Sequence, residues 1–332
     1  MILVLGATGF VGRVLVDALR SDGEQVRAAT RRLENARRSP GIDWVRCDLR
    51  QPETLAPALD GVSCIYYLVH SMGNGRHPFR QVERESAEAL AREAAAAGCT
   101  RIVYLGGVAP EGKRSEHLAS RIDVGEILRG GRVPTVELRA AMIVGHGGAS
   151  WQIVRDLALR LPLMILPRWL ESRSCPIALE DVTTALLDAR RVPIHASDWF
   201  DVPGPDVLSA REMLETVAAL RGRRVPMLRV PILTPRLSAL WLRFVTDADR
   251  DIARELVLGL TEDLLPRDAR YWQLTGHSPT CSFEAAARTA LEVERSTPRP
   301  GRRFAWWEEQ LVDIVGPRRA PQPSRPHRTS EE

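Results

Sequence analysis

Three glycines directly after the first apolar run constrain the fold of this chain more than any other feature. Gly6, Gly9 and Gly12 follow the run Ile2–Leu5 and lead into residues 11–19, whose apolar positions follow helical spacing. A tight turn between a strand and a helix lets the free N–H groups at the helix N-terminus face a pyrophosphate. Because the motif lies in this strand–turn–helix setting, we predict a nucleotide-binding turn.

Short apolar runs alternate with longer helical patterns over the first 140 residues. The predicted strands are residues 2–5, 26–29, 44–47, 64–69, 101–105 and 135–138, and the predicted helices include 11–19, 79–97 and 117–128. Near-continuous apolar strands that alternate with helices are typical of a parallel sheet covered on both faces. We therefore predict an α/β fold, a Rossmann-like doubly wound parallel sheet that binds the cofactor, over residues 1–148.

The pattern changes after Gly148, where helices and prolines replace the strand–helix alternation. We predict a smaller, mainly helical C-terminal lobe over residues 149–316 that contacts the substrate, and we leave open whether later segments complete the sheet. Its predicted helices are residues 151–161, 181–189, 209–221, 235–245, 250–260, 283–293 and 303–315. Residues 317–332 are rich in Pro, Arg and Ser, a composition that predicts a disordered tail.

Charge and cysteine content exclude several classes of protein. The net charge is +4 with opposite charges interspersed, so we predict no nucleic-acid partner. Five cysteines without a C-x-x-C pair indicate reduced thiols rather than a disulfide framework or a zinc site. The most apolar stretch, residues 157–166, is too short to span a membrane. With an apolar strand at its start and no room for a signal peptide, the chain is expected to be cytoplasmic.

The end of the second predicted strand indicates which nucleotide is bound. It reads Thr30-Arg31-Arg32, without the Asp or Glu that usually holds the ribose 2′-hydroxyl of NAD. Guanidinium groups suit a 2′-phosphate, so NADP(H) is the predicted cofactor, although arginine is abundant throughout this chain. Asp48, followed by Leu49, is placed to meet the adenine; its alternative role is to cap the following turn.

The predicted site lies at the carboxyl ends of the strands, where open α/β sheets bind ligands. The predicted cofactor-binding residues are Gly6, Thr8, Gly9, Phe10, Val11, Gly12, Thr30, Arg31, Arg32, Asp48, Leu49, Leu68, Val69, His70, Leu105, Gly106 and Gly107. Ser71, Met142 and His146 are predicted to line the pocket of a small-molecule substrate. We predict no metal site, because no carboxylate or cysteine joins the histidines at ligand spacing.

Several segments match a known family in order. They are residues 6–12, 47–49, 66–72 (YYLVHSM), 101–107, 117–121, 139–145 and 176–182. Through them, residues 1–295 resemble the atypical short-chain dehydrogenase/reductases, in particular the NmrA-like and complex I accessory-subunit-like NAD(P)H-binding group. The resemblance implies a Rossmann fold with a C-terminal substrate lobe. That group includes quinone and ketone reductases, and also nucleotide-binding proteins without established turnover.

The resemblance also implies a proton relay that this chain lacks. The wider superfamily carries Tyr-x-x-x-Lys on the helix after the fifth strand and a serine at that strand's end, and the lysine lowers the pKa of the tyrosine. Here the strand ends in two glycines, and the pair is His117 and Arg121 on one helix face. Lys113, the single lysine, cannot replace the missing one because Ala109 lies four residues before it.

His117 and Arg121 are therefore the candidate catalytic residues. The charge of Arg121, one helix turn away, favours the neutral form of the His117 imidazole. Neutral imidazole donates a hydrogen bond but is a weak acid. Such a pair suits a substrate whose reduced anion is already stable. The predicted function is an NADPH-dependent reductase of a quinone, enone or related conjugated carbonyl.

Several alternatives stay open. The chain could be a non-catalytic NADP(H)-binding or redox-sensing protein that acts through a protein partner, or it could catalyse a non-redox reaction such as an isomerisation. His117 and Arg121 could also be no more than residues of a helix surface. The sequence also leaves open whether the chain forms a homo-oligomer.

Overall fold

The computed structural model describes residues 1–36, 41–70, 79–110, 112, 114–161, 164–167, 171–224, 226–230 and 262–296. The predicted helices 235–245, 250–260 and 303–315 and the predicted tail lie outside these residues, as does Ser71. Within the described part of the chain, no helix combines the length and the apolar character needed to cross a bilayer.

A seven-stranded, fully parallel sheet forms the centre of the described structure and confirms the predicted doubly wound α/β fold. The strands are β1 (Ile2–Leu5), β2 (Val26–Thr30), β3 (Asp43–Arg46), β4 (Cys64–Tyr67), β5 (Arg101–Gly107), β6 (Thr135–Ala140) and β11 (Asp198–Asp201), with shorter strands between the last two. Their order in the sheet is β11-β6-β5-β4-β1-β2-β3. Strand order reverses between β1 and β4, and ligands bind beyond the carboxyl edge at such a point.

Helices cover both faces of the sheet because its strands are apolar on both sides. The helices are α1 (Phe10–Ser21), α2 (Leu55–Leu59), α3 (Phe79–Ala96), α4 (Glu116–Gly130), α5 (Ala149–Arg160), α6 (Leu179–Ala189), α7 (Ala210–Leu220), α8 (Arg270–Thr275) and α9 (Phe283–Ser296). Side chains of α1, α6 and α8 share one buried cluster with the sheet, and those of α2, α3 and α4 share a second cluster on the opposite face.

Strand β11 lies in the segment that the sequence pattern assigned to the C-terminal lobe, and it pairs with β6 at the edge of the sheet. Its sequence, DWFD, has a carboxylate at each end and no apolar run, so hydrophobic patterning does not mark it as a strand. Helix α6, from the same segment, packs against α1. The chain after residue 148 therefore contributes to the central sheet as well as to the lobe.

Polar side chains of the sheet fix the C-terminal end of α6. Tyr66 Oη donates to the Leu186 carbonyl at 2.8 Å. Arg101 Nη1 donates to the Ala189 and Val192 carbonyls at 2.9 and 2.8 Å. The last carbonyl groups of a helix have no partner within the helix, so these bonds satisfy groups that would otherwise be buried unpaired.

The remaining strands are short and form three two-stranded sheets. They are β7 (Ile143–Val144), β8 (Met164–Pro167), β9 (Arg173–Ser174), β10 (Ile177–Ala178), β12 (Leu208–Ser209) and β13 (Met227–Val230). A third buried cluster unites α5, α7 and α9 through Trp151, Met213 and Phe283. This helical cluster places α5 beside the carboxyl edge of the sheet, where it forms one wall of the cleft described next.

Candidate functional site

A cleft of about 940 Å³ runs along the carboxyl ends of the central strands. The glycine turn, the ends of β2 and β3, and the residues after β4 line one half. The end of β5, the start of α4, the residues after β6 and the first turns of α5 line the other half. We call these the nucleotide half and the substrate half.

The glycine turn is fixed by close backbone contacts. Gly6 has a φ of +85°, which side-chain-bearing residues rarely adopt, and its carbonyl accepts a hydrogen bond from Gly9 N at 2.9 Å. A Cβ atom on Gly12 would lie 2.1 Å from the Gly6 oxygen. The first turn of α1 can approach the end of β1 this closely only without a side chain at residue 12.

The start of α1 fits a pyrophosphate. Its N-cap, Gly9, has no side chain that could cap the first turn, and the residues Gly9, Phe10, Val11 and Gly12 all line the cleft. Uncapped N–H groups at a helix N-terminus attract anions through both hydrogen bonds and the helix dipole. The backbone on this side of the cleft is therefore suited to hold the phosphates of a dinucleotide.

The part of the nucleotide half at the ends of β2 and β3 carries two guanidinium groups and one carboxylate. Thr30 Oγ1 exchanges hydrogen bonds with the backbone of Arg32, which fixes the turn after β2. Arg31, Asp48 and Arg50 line the cleft, whereas Arg32 is exposed and not among its lining residues. The predicted second guanidinium, Arg32, is thus replaced at the cleft by Arg50, which no sequence pattern marks.

In the substrate half, α4 presents a histidine and an arginine to the cleft. Ser115 caps the helix by accepting a hydrogen bond from Leu118 N at 3.2 Å. The His117 side chain is 9% exposed, and its ring lies 6.1 Å from that of His70. His117 and Arg121 both line the cleft, one helix turn apart.

Arg121 is held by the strand end that it covers. Its Nη2 donates to the Leu105 carbonyl at 2.8 Å, and its own carbonyl accepts a hydrogen bond from Tyr104 Oη at 2.9 Å. Gly107 leaves the space for this approach, because a Cβ there would lie 3.3 Å from Arg121 Nε. No described residue accepts a hydrogen bond from Nε. A fixed positive charge with an unused donor therefore stands at the end of β5.

The electrostatics of α4 keep His117 neutral. Burial, together with the nearby Arg121 guanidinium, lowers the pKa of His117 to about 4. At neutral pH the imidazole can donate or accept a hydrogen bond, but it holds no excess proton. Tyr67, which lines the same cleft, is a poor proton donor as well, because burial raises its pKa well above the usual range.

The wall facing these polar groups is apolar. Val108, Met142, Ile143, Ile153 and Val154 line it, and Ile153 and Val154 belong to α5. Such a wall binds apolar groups by removing their surface from water.

A buried carboxylate lies next to the substrate half of the cleft. Glu83 of α3 is 4% exposed, lines the cleft and accepts a hydrogen bond from Ser120 Oγ of α4. The sequence gives no signal for it, because Glu83 is one of several acids in a charged helix. Its contact with Ser120 couples α3 to the helix that carries His117 and Arg121.

The structure brings most of the predicted site residues to one cleft, although they come from seven separate segments. Met142 lies there, as do all predicted cofactor residues except Arg32. His146 does not line the cleft; its Nδ1 lies 3.7 Å from Glu294 Oε1 of α9. In the described residues, no group of three or more histidine, cysteine or carboxylate side chains could hold a metal ion.

Comparison with known proteins supports a nucleotide-binding reductase. Residues 6–160 match a family model described as NAD(P)H-binding. The chain is 28% identical over 236 residues to the ceramide reductase of Caulobacter vibrioides, covering 70% of this chain and 74% of that protein. It is 27% identical over 334 residues to the (4-alkanoyl-5-oxo-2,5-dihydrofuran-3-yl)methyl phosphate reductase of Streptomyces griseus, covering 96% and 100%.

A solved structure shares the fold. The structure of MoeE5 in complex with UDP-glucuronic acid and NAD superposes with a TM-score of 0.69 and covers 89% of this chain and 99% of that one. The two sequences are 18% identical, so this likeness concerns the fold alone.

Proposed function

Since the chain belongs to the atypical short-chain dehydrogenase/reductase family of NAD(P)H-binding proteins, we propose that it is an NADPH-dependent reductase of a conjugated carbonyl compound, such as a quinone or an enone. The observation that carries the proposal is the pairing of a fixed arginine with a neutral histidine at the end of β5. His117 and Arg121 line the same cleft as the nucleotide turn and stand in place of the tyrosine and the lysine, respectively, of the family's relay.

The nucleotide half would hold the cofactor. The N–H groups at the start of α1 would bind the pyrophosphate, and Arg31 would bind the 2′-phosphate that distinguishes NADPH from NADH. When bound, the reduced nicotinamide supplies the hydrogen and the electron pair for the reduction.

Arg121 and His117 would stabilise the negative charge that develops on the substrate oxygen. Arg121 lines the cleft with a fixed positive charge, and neutral His117 can donate one N–H bond. Preorganised donors of this kind act strongly in a site from which water is excluded. Because neither group readily gives up a proton at neutral pH, water would supply the proton that completes the reduction.

This chemistry favours a conjugated substrate. Reduction of a quinone or an enone gives a delocalised anion, which two hydrogen-bond donors can hold until it is protonated. A simple ketone gives an alkoxide, which needs a proton donor at once. The Streptomyces griseus relative is named for a dihydrofuran with a conjugated carbonyl group, which supports the same substrate class.

The apolar wall favours a substrate with a hydrophobic body. Val108, Met142 and Ile153 offer contacts to a ring or an alkyl chain next to the reacting carbonyl. The Caulobacter vibrioides relative is named for a lipid substrate, ceramide, and agrees with such a preference.

Steady-state oxidation of NADPH with a panel of quinones, enones and simple ketones tests the proposal. We expect turnover with the conjugated acceptors, a much lower rate with the ketones, and a roughly tenfold lower kcat for His117→Asn with an unchanged dissociation constant for NADPH. Tight binding of NADPH without turnover of any acceptor would contradict the reductase.

A non-catalytic NADP(H)-binding protein is the second candidate. The observation that favours it is that neither His117, which is neutral, nor Tyr67, whose pKa is raised, is an efficient proton donor in the cleft. The same acceptor panel separates the two functions, because this candidate predicts cofactor binding with no acceptor-dependent oxidation.

A further inference from the structure

We propose that residues 262–264 form a fixed strap beside the substrate half of the cleft, and that Leu264 selects substrates that carry an alkyl group next to the reacting carbonyl. The inference rests on the proposed function, because the ligand in question is the substrate of that reductase. Leu264 lines the cleft, whereas the other described lining residues lie between Leu5 and Val154. The strap therefore brings a residue from a distant part of the chain to the site.

One arginine holds two consecutive residues of the strap. Arg173 N donates to Asp263 Oδ1 at 2.7 Å, and the Arg173 guanidinium donates to Asp263 Oδ2 through Nε at 3.2 Å and through Nη2 at 2.9 Å. Leu264 N in turn donates to the Arg173 carbonyl at 2.8 Å. Because the Arg173 backbone takes part at both residues, the strap does not depend on an exposed ion pair alone.

These bonds add the strap to a small sheet. Leu264 forms a parallel β-bridge with Ser174 of β9, and β9 itself pairs with β12. Successive side chains of an extended segment point in opposite directions. The Asp263 side chain is accordingly 42% exposed, while Leu264 is half-buried and lines the cleft.

The chain is also fixed on both sides of this bridge. Glu262 lies against the segment between β5 and α4, since a Cβ atom on Gly112 would lie 2.5 Å from Glu262 Oε2. Arg267 N donates at 2.7 Å to Oδ2 of Asp201, the last residue of β11. Leu264 is thus held in place by contacts before it, at it and after it in the chain.

The neighbours of the strap assign Leu264 to the substrate half. The segment between β5 and α4, which Glu262 contacts, contributes Val108 and Ser115 to the lining of the cleft. Strand β9 leads into β10, whose partner β7 begins at Ile143, another lining residue. Leu264 therefore extends the apolar wall of the substrate half.

A leucine in this position affects substrates according to their size. Contact with Leu264 removes apolar surface of an alkyl group from water, so binding strengthens with each methylene group that reaches the side chain. A small quinone can place its carbonyl beside Arg121 without such a contact. We therefore expect the strap to govern selectivity for the alkyl group and to leave cofactor binding unaffected.

Calorimetric titration of the full chain, saturated with NADP⁺, tests the role of Leu264. The titrants are naphthoquinones whose alkyl side chain lengthens from methyl to octyl, and the oxidised cofactor supplies no hydride, so only binding is measured. We expect Leu264→Ala to weaken the octyl compound roughly fivefold to tenfold, and to change the methyl compound and NADP⁺ less than twofold. Leu264→Met, which nearly conserves the volume, should keep the selectivity of the wild type.

Asp263→Ala tests whether the strap positions Leu264. Asp263 is exposed and is not a described lining residue of the cleft, but its loss frees the segment from the Arg173 guanidinium. We expect a change of selectivity in the same direction as for Leu264→Ala and roughly half as large on a logarithmic scale, because the backbone bonds remain.

Each variant has a matched control. Leu274→Ala removes a leucine that is 45% exposed on α8 and is not a described lining residue. Glu284→Ala removes an exposed carboxylate that pairs with Arg288 on α9. Both should leave all dissociation constants unchanged.

Wild-type selectivity in either Leu264→Ala or Asp263→Ala would overturn the proposal. Equal weakening of the methyl and octyl compounds, or failure of every naphthoquinone to bind the NADP⁺ complex, would overturn it as well. Failure of the reductase gives a different result: the compounds would bind with the expected selectivity, and none would be reduced when NADPH replaces NADP⁺.

Discussion

The two halves of the cleft are built in different ways. The nucleotide turn occupies seven consecutive residues, 6–12, and its shape is set by backbone contacts that only glycine permits. The substrate half takes Arg121 from α4, the Leu105 carbonyl from β5 and Ile153 from α5. Steric requirements govern the nucleotide turn, and side-chain charge and polarity govern the substrate half. Substitutions should therefore abolish binding in one half and slow the reaction in the other.

The largest expected effect is that of Gly12→Ala. Its Cβ would lie 2.1 Å from the Gly6 oxygen, so the start of α1 must move away from the strand. We expect the affinity for NADPH to fall at least roughly 100-fold, together with a lower melting temperature, as measured by fluorescence titration and thermal unfolding. Gly130→Ala, at a helical position with nothing within 4 Å, is the control and should change neither quantity appreciably.

Arg121→Met tests the substrate half of the cleft. We expect kcat to fall roughly 100-fold, because a fixed donor and its charge are lost, while the dissociation constant of NADPH changes less than threefold. Arg92→Met, which alters an arginine whose side chain is 65% exposed on α3, should leave both values unchanged. If Arg121→Met instead weakened NADPH binding and kept kcat, Arg121 would belong to the nucleotide half.

Ile153→Asn probes the apolar wall. The side chain is buried and lines the cleft, so an amide there should raise KM for alkyl-substituted quinones roughly tenfold and leave NADPH binding unchanged. Gln152→Asn, at the preceding position of α5 and not a lining residue of the cleft, is the matched control. An equal rise in KM for the smallest, unsubstituted quinone would argue against a hydrophobic contact.

The smallest expected effect is that of pH on kcat. Because the pKa of His117 is lowered to about 4, the imidazole stays neutral as the pH rises from about 5.5 to 8.5, and kcat should change less than about twofold. A catalytic imidazolium would instead give a rate that falls as the pH rises through about 6.5. Such a fall in wild type, absent in His117→Asn, would contradict the neutral histidine.

The sequence predicted the parts of the site that depend on neighbouring residues. The turn at residues 6–12, the strand ends that carry Asp48 and Leu105, and the pair on α4 all follow from local spacing, and all line one cleft. It is harder to predict which of two neighbouring side chains faces the cleft. Arg31 and Arg32 are adjacent, yet one lines the cleft and the other does not, and the sequence treats them alike.

Other features depend on partners that are distant in the chain. Strand β11 is recognisable only by its pairing with β6, because DWFD carries no strand pattern of its own. His146 lies toward Glu294 of α9, 148 residues away, and not toward the cleft. No spacing rule connects such residues, because the contact exists only once the lobe has packed against the sheet.

The amino-acid sequence by itself determined the alternation of strands and helices, the nucleotide turn and the absence of the usual tyrosine and lysine, since each is written in the order of neighbouring residues. The tertiary structure alone decided that Arg50 engages Asp48, that Arg121 is fixed on the Leu105 carbonyl and that burial keeps His117 neutral. Charge state and hydrogen bonding depend on which groups share a space and how much water reaches them, and only the folded chain sets either.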